Sequence, residues 1–81
     1  MRRRIPSTAA LSAFEAAARH ESFTRAADEL HMTQSAVCRQ IATLESGLGV
    51  ELFRRTRRGV KLTAAGLAYG RRVAERLAAL E

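Results

Sequence analysis

Apolar residues recur at intervals of three and four along most of the chain, which is the spacing of one face of an α-helix. The first such stripe includes Leu11 and Phe14. Ser7 or Thr8 can cap a helix at its amino end, and the pattern predicts that this helix runs to about His20. The stripe is predicted to be core.

Two further stripes follow, each preceded by a residue that commonly caps a helix. Ser22 precedes a second helix, whose apolar positions are Phe23, Ala26, Ala27 and Leu30. After a turn at His31 and Met32, Thr33 precedes a third helix, whose apolar face is predicted to hold Val37, Ile41, Leu44 and Leu48. Gly49 suits the left-handed conformation that ends many helices. Two short helices joined by a tight turn are typical of a helix-turn-helix.

The next segment is permissive for β-structure and rich in arginine. Val50–Arg55 and Val60–Leu62 are predicted strands, joined by Thr56–Gly59, whose single glycine suits a hairpin turn. Five of the eight residues from Arg54 to Lys61 are basic. A basic hairpin directly after the helix pair makes the motif a winged helix-turn-helix.

A last helix is predicted after Thr63, with small and apolar residues that step by four and three in a heptad-like seam. The candidate dimer contacts on this helix are Gly66, Leu67, Gly70, Val73, Ala74, Leu77 and Leu80. An amphipathic membrane-surface helix is the alternative, but the small residues favour helix packing. Because the seam reaches the final residue without a stop signal, we expect the natural helix and the protein to continue.

The predicted fold is therefore mainly α: a winged helix-turn-helix of three helices and a small hairpin over residues 1–62, then a linker helix for dimerisation over 63–81. The length of 81 residues permits one small, marginally stable domain that needs a partner. A hydrophobic fraction of 47% argues against disorder.

The net charge of +6 is unevenly distributed. Residues 1–51 hold six basic and six acidic residues, whereas residues 52–81 hold eight basic and two acidic residues. Charge concentrated in this way suits a polyanionic partner. Nucleic acid is the first candidate and an anionic membrane is the second.

Other classes of protein lack support in the sequence. No run approaches the roughly 20 apolar residues of a membrane span, and Arg2, Arg3 and Arg4 precede no apolar signal segment, so we expect a cytoplasmic protein. The lone Cys38 excludes an intramolecular disulfide, and His20 and His31 lack the spacing to Cys38 that a zinc framework needs. We find no constellation of catalytic residues and expect no enzyme activity, metal or cofactor.

A family resemblance covers nearly the whole chain. The amino-terminal domain of LysR-type transcriptional regulators is similar to the stretch SFTRAADELHMTQSAVCRQIATLESGLGVELFRRTRRGVKLTAAG. Its diagnostic positions include Ser22, Phe23, Ala26, Ala27, Leu30, Gln34, Arg39, Gln40, Ile41, Leu44, Glu45, Leu48, Gly49, Leu52, Phe53, Arg55, Leu62, Thr63 and Gly66. The opening IPSTAALSAFEAAARHESFTRAA most resembles the branch that includes regulators of glycine cleavage and β-lactamase genes.

The resemblance implies a bacterial regulator that binds an inverted-repeat promoter site as a dimer paired through the last helix. It also implies a following domain, absent from this chain, that senses a small-molecule effector. Tetramers, which are usual in the family, would depend on that missing domain. The competing hypothesis is a helical protein-interaction module whose basic face meets an acidic partner.

The third helix is expected to enter the major groove, where Gln34 can pair with an adenine edge and Arg39 with a guanine edge or a phosphate. The wing is expected to follow phosphates or enter the minor groove. The full set of candidate DNA contacts is Ser22, Thr24, Thr33, Gln34, Ser35, Cys38, Arg39, Arg54, Arg55, Arg57, Arg58 and Lys61.

Two of these candidates depart from the family pattern, which often has proline at Ser35 and serine at Cys38. A thiol is a weaker hydrogen-bond donor than a hydroxyl, so the departure at Cys38 affects one polar contact. Cys38 is interpreted as a small residue that fills space rather than as a redox switch, because no second cysteine is present. For any single wing cation, a solubilising role competes equally with direct contact.

Overall fold

Four helices and one hairpin make up the part of the chain that the computed structural model describes, residues 7–79, with side chains described for residues 7–76. The elements are α1 (Thr8–His20), α2 (Phe23–Leu30), α3 (Gln34–Leu48), β1 (Phe53–Thr56), β2 (Gly59–Leu62) and α4 (Ala64–Ala79). The two strands are antiparallel. The predicted winged helix-turn-helix followed by a further helix is confirmed.

Each helix begins at a hydroxyl side chain that accepts a hydrogen bond from a backbone N–H in the first turn. The capping residue and its donor are Ser7 and Ala10 at 3.0 Å, Ser22 and Arg25 at 3.1 Å, Thr33 and Ala36 at 3.0 Å, and Thr63 and Gly66 at 3.0 Å. The four predicted starts are confirmed, with Ser7 rather than Thr8 as the first cap.

The ends of the first three helices share a left-handed residue. Gly49 ends α3 with a φ of 75°, as predicted. Glu21 and His31 end α1 and α2 with φ values of 52° and 57°. A left-handed conformation costs a residue with a side chain about 1–2 kcal/mol, so the surrounding packing must maintain these two turns.

All four aromatic residues of the chain, three phenylalanines and one tyrosine, form one continuous cluster in the core. The ring centres of Phe14 and Phe53 lie 5.4 Å apart, those of Phe23 and Phe53 5.3 Å, and those of Phe14 and Tyr69 5.3 Å. Phe14 is 1% exposed and lies at the centre. The cluster therefore connects α1, α2, β1 and α4, and the prediction that the phenylalanines are core residues is confirmed.

A charged network connects α1 with α2 on the surface. The Arg19 guanidinium donates to Glu15 at 2.8 Å and to Glu29 at 2.7 Å, and His20 Nε2 lies 2.7 Å from Glu29 Oε1. The hydrogen bond from Arg19, with that from His20, lowers the pKa of Glu29 to about 2. Glu29 is thus ionised at neutral pH, and the network joins α1 to α2.

The wing differs from the sequence prediction in its strand bounds. The first strand begins at Phe53 rather than Val50, and Thr56 pairs with Gly59, so only Arg57 and Arg58 form the turn. The register, and not the single glycine, sets the turn length.

The exposed apolar residues also differ from the prediction. Leu48 was expected on the inner face of α3 but is 41% exposed, because it lies in the last turn of α3, where it lines an open cleft with Tyr69 and Arg72. Val50 is 45% exposed, and together with Leu48 it lines a neighbouring cleft. No helix among the described residues is long and apolar enough to cross a membrane.

Helix α4 turns part of its predicted dimer seam toward its own domain. Gly66 and Val73 are buried, and a Cβ added at Gly66 would overlap the carbonyl oxygen of Leu52. Gly70 lies against the ring of Phe14. These three candidate dimer residues therefore pack against their own subunit, and the two glycines admit a close approach of α4 to Leu62 in the wing and to Phe14 in α1.

The remaining predicted dimer residues lie elsewhere. Leu67 is 58% exposed and Ala74 is also exposed. Leu77 lies within α4, but its side chain, like all of Leu80, is outside the described residues.

Candidate nucleic-acid interface

The start of α3 has a row of polar residues on its exposed face and apolar residues on its buried face. Gln34, Ser35 and Arg39 are exposed, whereas Val37 and Ile41 on the other face are buried. The apolar face fixes the helix on the core, since fully burying one such side chain contributes roughly 1.5–3 kcal/mol. The polar row is consequently held in a defined orientation.

Gln34 is supported from the neighbouring helix. The hydroxyl of Thr24, which is exposed on α2, donates to Gln34 Oε1 at 3.2 Å. The amide N–H groups of Gln34 and a second lone pair on Oε1 remain available to another partner. The structure thus joins two of the predicted site residues, one from each helix of the helix-turn-helix.

Ser22 and Thr33 occupy the amino ends of α2 and α3. Their hydroxyl oxygens accept the capping bonds, so the hydroxyl protons stay free to donate. Helix amino ends also carry partial positive charge, which favours anions such as phosphate.

Cys38 is placed differently from the other α3 candidates. It is half-buried and lines a cleft of about 290 Å³ between α3 and the wing, together with Phe23, Ile41, Phe53 and Arg55. The polar row of α3 therefore consists of Gln34, Ser35 and Arg39, with Cys38 beside it on the side nearer the wing.

Two wing cations face each other directly. Arg54 lies opposite Lys61 in the hairpin register, and both side chains are exposed. Like charges at opposed positions are destabilising. Within residues 7–76, the ion pairs join Arg19 and His20 to Glu15 and Glu29, so neither Arg54 nor Lys61 takes part in an ion pair there.

The other wing cations divide between the turn and the inner face. Arg57 and Arg58 form the exposed turn. The guanidinium carbon of Arg55 lies 5.9 Å from the ring centre of Phe23, within the range of a cation–π contact. Arg55 is therefore partly engaged by the protein itself, unlike the cations at the turn.

The wing is attached to the turn between α1 and α2. The amide of Val60 donates to the carbonyl oxygen of Glu21 at 3.1 Å. Gly59 has a φ of 152°, and a Cβ there would overlap the same carbonyl oxygen. The approach of the wing to this turn therefore requires glycine at position 59.

A polar cleft of about 370 Å³ lies beside this attachment. Arg25, Arg58 and Lys61 line it, together with Ser22 and Glu21. Arg25 was not among the sequence candidates, although its place in the first turn of a capped helix is visible in the sequence. The proximity of Arg25 to the wing depends on the left-handed turn at Glu21, which the sequence pattern did not indicate.

An exposed polar row on a helix, flanked by an arginine-rich hairpin anchored to the same core, defines the winged helix-turn-helix class. Comparison with known proteins gives the family. The sequence profile described as "Bacterial regulatory helix-turn-helix protein, lysR family" matches residues 8–67. The chain belongs to the LysR family.

Curated relatives agree with this assignment. Over 69 residues the chain is 55% identical to the glycine cleavage system transcriptional activator of Escherichia coli K12. The aligned segment covers 85% of this chain and 23% of that protein. Over 67 residues it is 58% identical to the transcriptional activator AmpR of Providencia stuartii, covering 83% and 23%. The chain thus spans about a quarter of the length of these relatives. A carbapenem-hydrolyzing beta-lactamase transcriptional activator of Serratia marcescens is 54% identical over 67 residues, so the expected likeness to this one branch is confirmed.

Solved structures share the fold. A complex of the CbnR DNA-binding domain with DNA matches with a TM-score of 0.87 and 36% identity, over 91% of this chain and 85% of that one. A complex of the BenM DNA-binding domain with benA site 1 DNA matches with a TM-score of 0.86 and 35% identity, over 91% and 83%.

Proposed function

We propose that this chain binds double-stranded DNA in a sequence-specific manner, as the DNA-binding part of a bacterial LysR-type transcriptional regulator. The single observation that carries the proposal is the exposed basic charge of the wing, which forms no ion pair within residues 7–76, beside the polar row of α3. Membership of a family of regulators and the fold shared with two DNA-bound domains support it. The curated relatives are regulators, so we infer a role in transcription rather than in catalysis.

The wing would supply affinity through phosphates. The opposed pair Arg54 and Lys61 is unfavourable in the free protein, and phosphates placed near the pair would relieve the repulsion. Arg57 and Arg58 extend the same basic surface to the turn, and Arg25 with Ser22 extends it toward α2. Such contacts position a protein on DNA without selecting its sequence.

The polar row of α3 would supply specificity in the major groove. Arg39 is suited to the O6 and N7 acceptors of guanine, and Gln34 to the N6 and N7 edge of adenine. The bond from Thr24 leaves both groups that adenine needs on the Gln34 amide. Ser35, Cys38 and Thr33 complete the proposed groove-facing set.

Salt dependence tests this proposal. We expect binding of a fluorescent duplex to weaken with salt, because each phosphate contact lowers log K by about 0.9 for each tenfold rise in salt concentration. The wing cations together should therefore give a slope of roughly 3–5 in log K against log salt. Anisotropy titrations at several salt concentrations measure the slope. Equal affinity for polyglutamate and duplex DNA would instead support the alternative of a protein-interaction module.

We further propose that α4 pairs two subunits. The contact would lie on the solvent-exposed side of the helix and not on the side with Gly66, Gly70 and Val73, which packs against its own domain. Leu67 and Ala74 are exposed there, and exposed Leu48 and Val50 lie near the clefts beside α4. Gly66, Gly70 and Val73 would support the contact indirectly, by holding α4 on its own domain. Division of the chain at residue 62, with 63–81 as linker helix, is part of this proposal.

Replacement of Leu67 by aspartate is expected to convert dimers to monomers. A carboxylate in an apolar contact would be desolvated without a partner, whereas in the monomer it stays in water. Sedimentation velocity measures the mass and a thermal melt checks the fold. A folded Leu67→Asp variant with the dimer mass of the wild type would refute the assignment of Leu67 to the contact.

The whole protein is proposed to act in the cytoplasm and to carry a carboxyl-terminal domain that binds a small-molecule effector. Two regulatory dimers would be able to assemble into a tetramer through that domain. A dimer of DNA-binding domains would occupy an inverted repeat whose halves are separated by whole helical turns.

A further inference from the structure

The first strand of the wing is tied to the recognition helix by one carboxylate. Glu45 Oε2 accepts the backbone N–H of Leu52 at 2.7 Å and that of Phe53 at 3.2 Å. Glu45 is half-buried and lies on α3, about three turns beyond Gln34. Hydrogen bonds to an ionised acceptor are roughly twice as strong as those between neutral groups.

The hairpin has a second attachment on its other strand, where Val60 donates to Glu21 in the turn before α2. That bond joins two backbone groups and depends on Gly59 rather than on a side chain. Among the described residues, Glu45 is the one side chain that hydrogen-bonds β1 to α3. The two attachments hold opposite strands of the wing.

We propose that Glu45 is a positioning residue for DNA binding, which fixes the wing cations relative to the polar row of α3. The inference rests on the proposed DNA-binding function. With Glu45 in place, phosphates contacted by Arg57 and Arg58 and bases contacted by Arg39 lie at a fixed separation. Without it, the wing pivots on the attachment at Glu21, and phosphate contacts are lost while base contacts remain.

Two conservative variants separate position from charge. Glu45→Asp keeps the negative charge but withdraws the carboxylate by one methylene, whereas Glu45→Gln keeps the reach and one acceptor oxygen but removes the charge. We expect Glu45→Asp to lower the salt slope by about one to two units and to weaken binding to specific and random duplexes alike, on the order of tenfold. Glu45→Gln should bind nearly as the wild type.

A purely electrostatic role gives the opposite pattern. Loss of a negative charge would then strengthen DNA binding in Glu45→Gln and leave Glu45→Asp unchanged. The matched control is Glu51→Gln, which removes a charge from an exposed side chain next to the wing. Within residues 7–76 the Glu51 carboxylate makes no hydrogen bond, and its backbone carbonyl, which accepts from Thr63, is unchanged by the substitution. Wild-type slope and affinity in a folded Glu45→Asp variant would overturn the proposal.

A measurement without DNA keeps this inference separate from the proposed function. Backbone ¹⁵N relaxation of the free protein should give order parameters near 0.85 for Arg57 and Arg58 in the wild type and below about 0.6 in Glu45→Asp. Equal order parameters in the two proteins would also overturn the proposal. Failure of the wild type to bind duplex DNA would refute the proposed function while leaving this comparison intact.

Discussion

Replacement of Arg39 by alanine is expected to reduce the preference of the chain for its specific DNA sequence over random DNA by roughly 5- to 150-fold. This is the effect of losing one bidentate base contact, worth about 1–3 kcal/mol of discrimination. Arg39 is exposed in the second turn of α3, within the polar row. Competition titrations with specific and random duplexes measure the ratio directly.

Arg57→Ala is the matched control for this prediction, because it removes the same side chain from the turn of the wing. It should weaken binding to both duplexes by the same factor and lower the salt slope by about 0.9, since phosphates carry no sequence information. If Arg39→Ala weakened both duplexes equally, Arg39 would be a phosphate contact and not a base contact.

Replacement of two glycines of α4 by alanine is expected to change the melting temperature in opposite directions. At Gly66 the new methyl group would overlap the Leu52 carbonyl oxygen and lie 2.8 Å from Leu62 Cδ2, so the helix must shift from the wing. Such overpacking costs about 1–3 kcal/mol, which corresponds to roughly 4–8 °C in Tm for each kcal/mol in a domain of this size. Gly66→Ala should therefore melt well below the wild type.

Gly70→Ala provides the control one turn further along α4. Its Cβ would lie 3.9 Å from the Phe14 ring, an ordinary contact, and alanine is favoured over glycine within a helix by about 0.5–1 kcal/mol. Gly70→Ala should melt a few degrees above the wild type. Thermal melts followed by circular dichroism at low protein concentration separate the two; higher stability in both variants would contradict the packing of α4 on its own domain.

The sequence predicts the fold well because its signals are local. Ser22 and Thr33 lie next to the helices that they cap, and Val37 and Ile41 repeat with the period of the helix that buries them. Each of these positions can be interpreted within one helix turn. The basic wing is equally visible, because its charges are consecutive in the chain.

The surroundings of the candidate site depend on contacts between distant residues. The heptad-like spacing of α4 identifies an apolar face but not what covers it, and the domain itself covers Gly66 and Val73. Glu45 lies seven residues from Leu52, and its role depends on a strand that folds back against α3. Neither arrangement has a periodic signal, so both emerge only from the packed structure.

Selection of duplexes from a random-sequence library by the wild-type chain is the most direct test of sequence-specific DNA binding. We predict enrichment of one short sequence, present as an inverted repeat where two subunits bind together, and loss of that enrichment in Arg39→Ala. A folded wild-type chain that binds duplex DNA but enriches no sequence over the starting library would contradict the account.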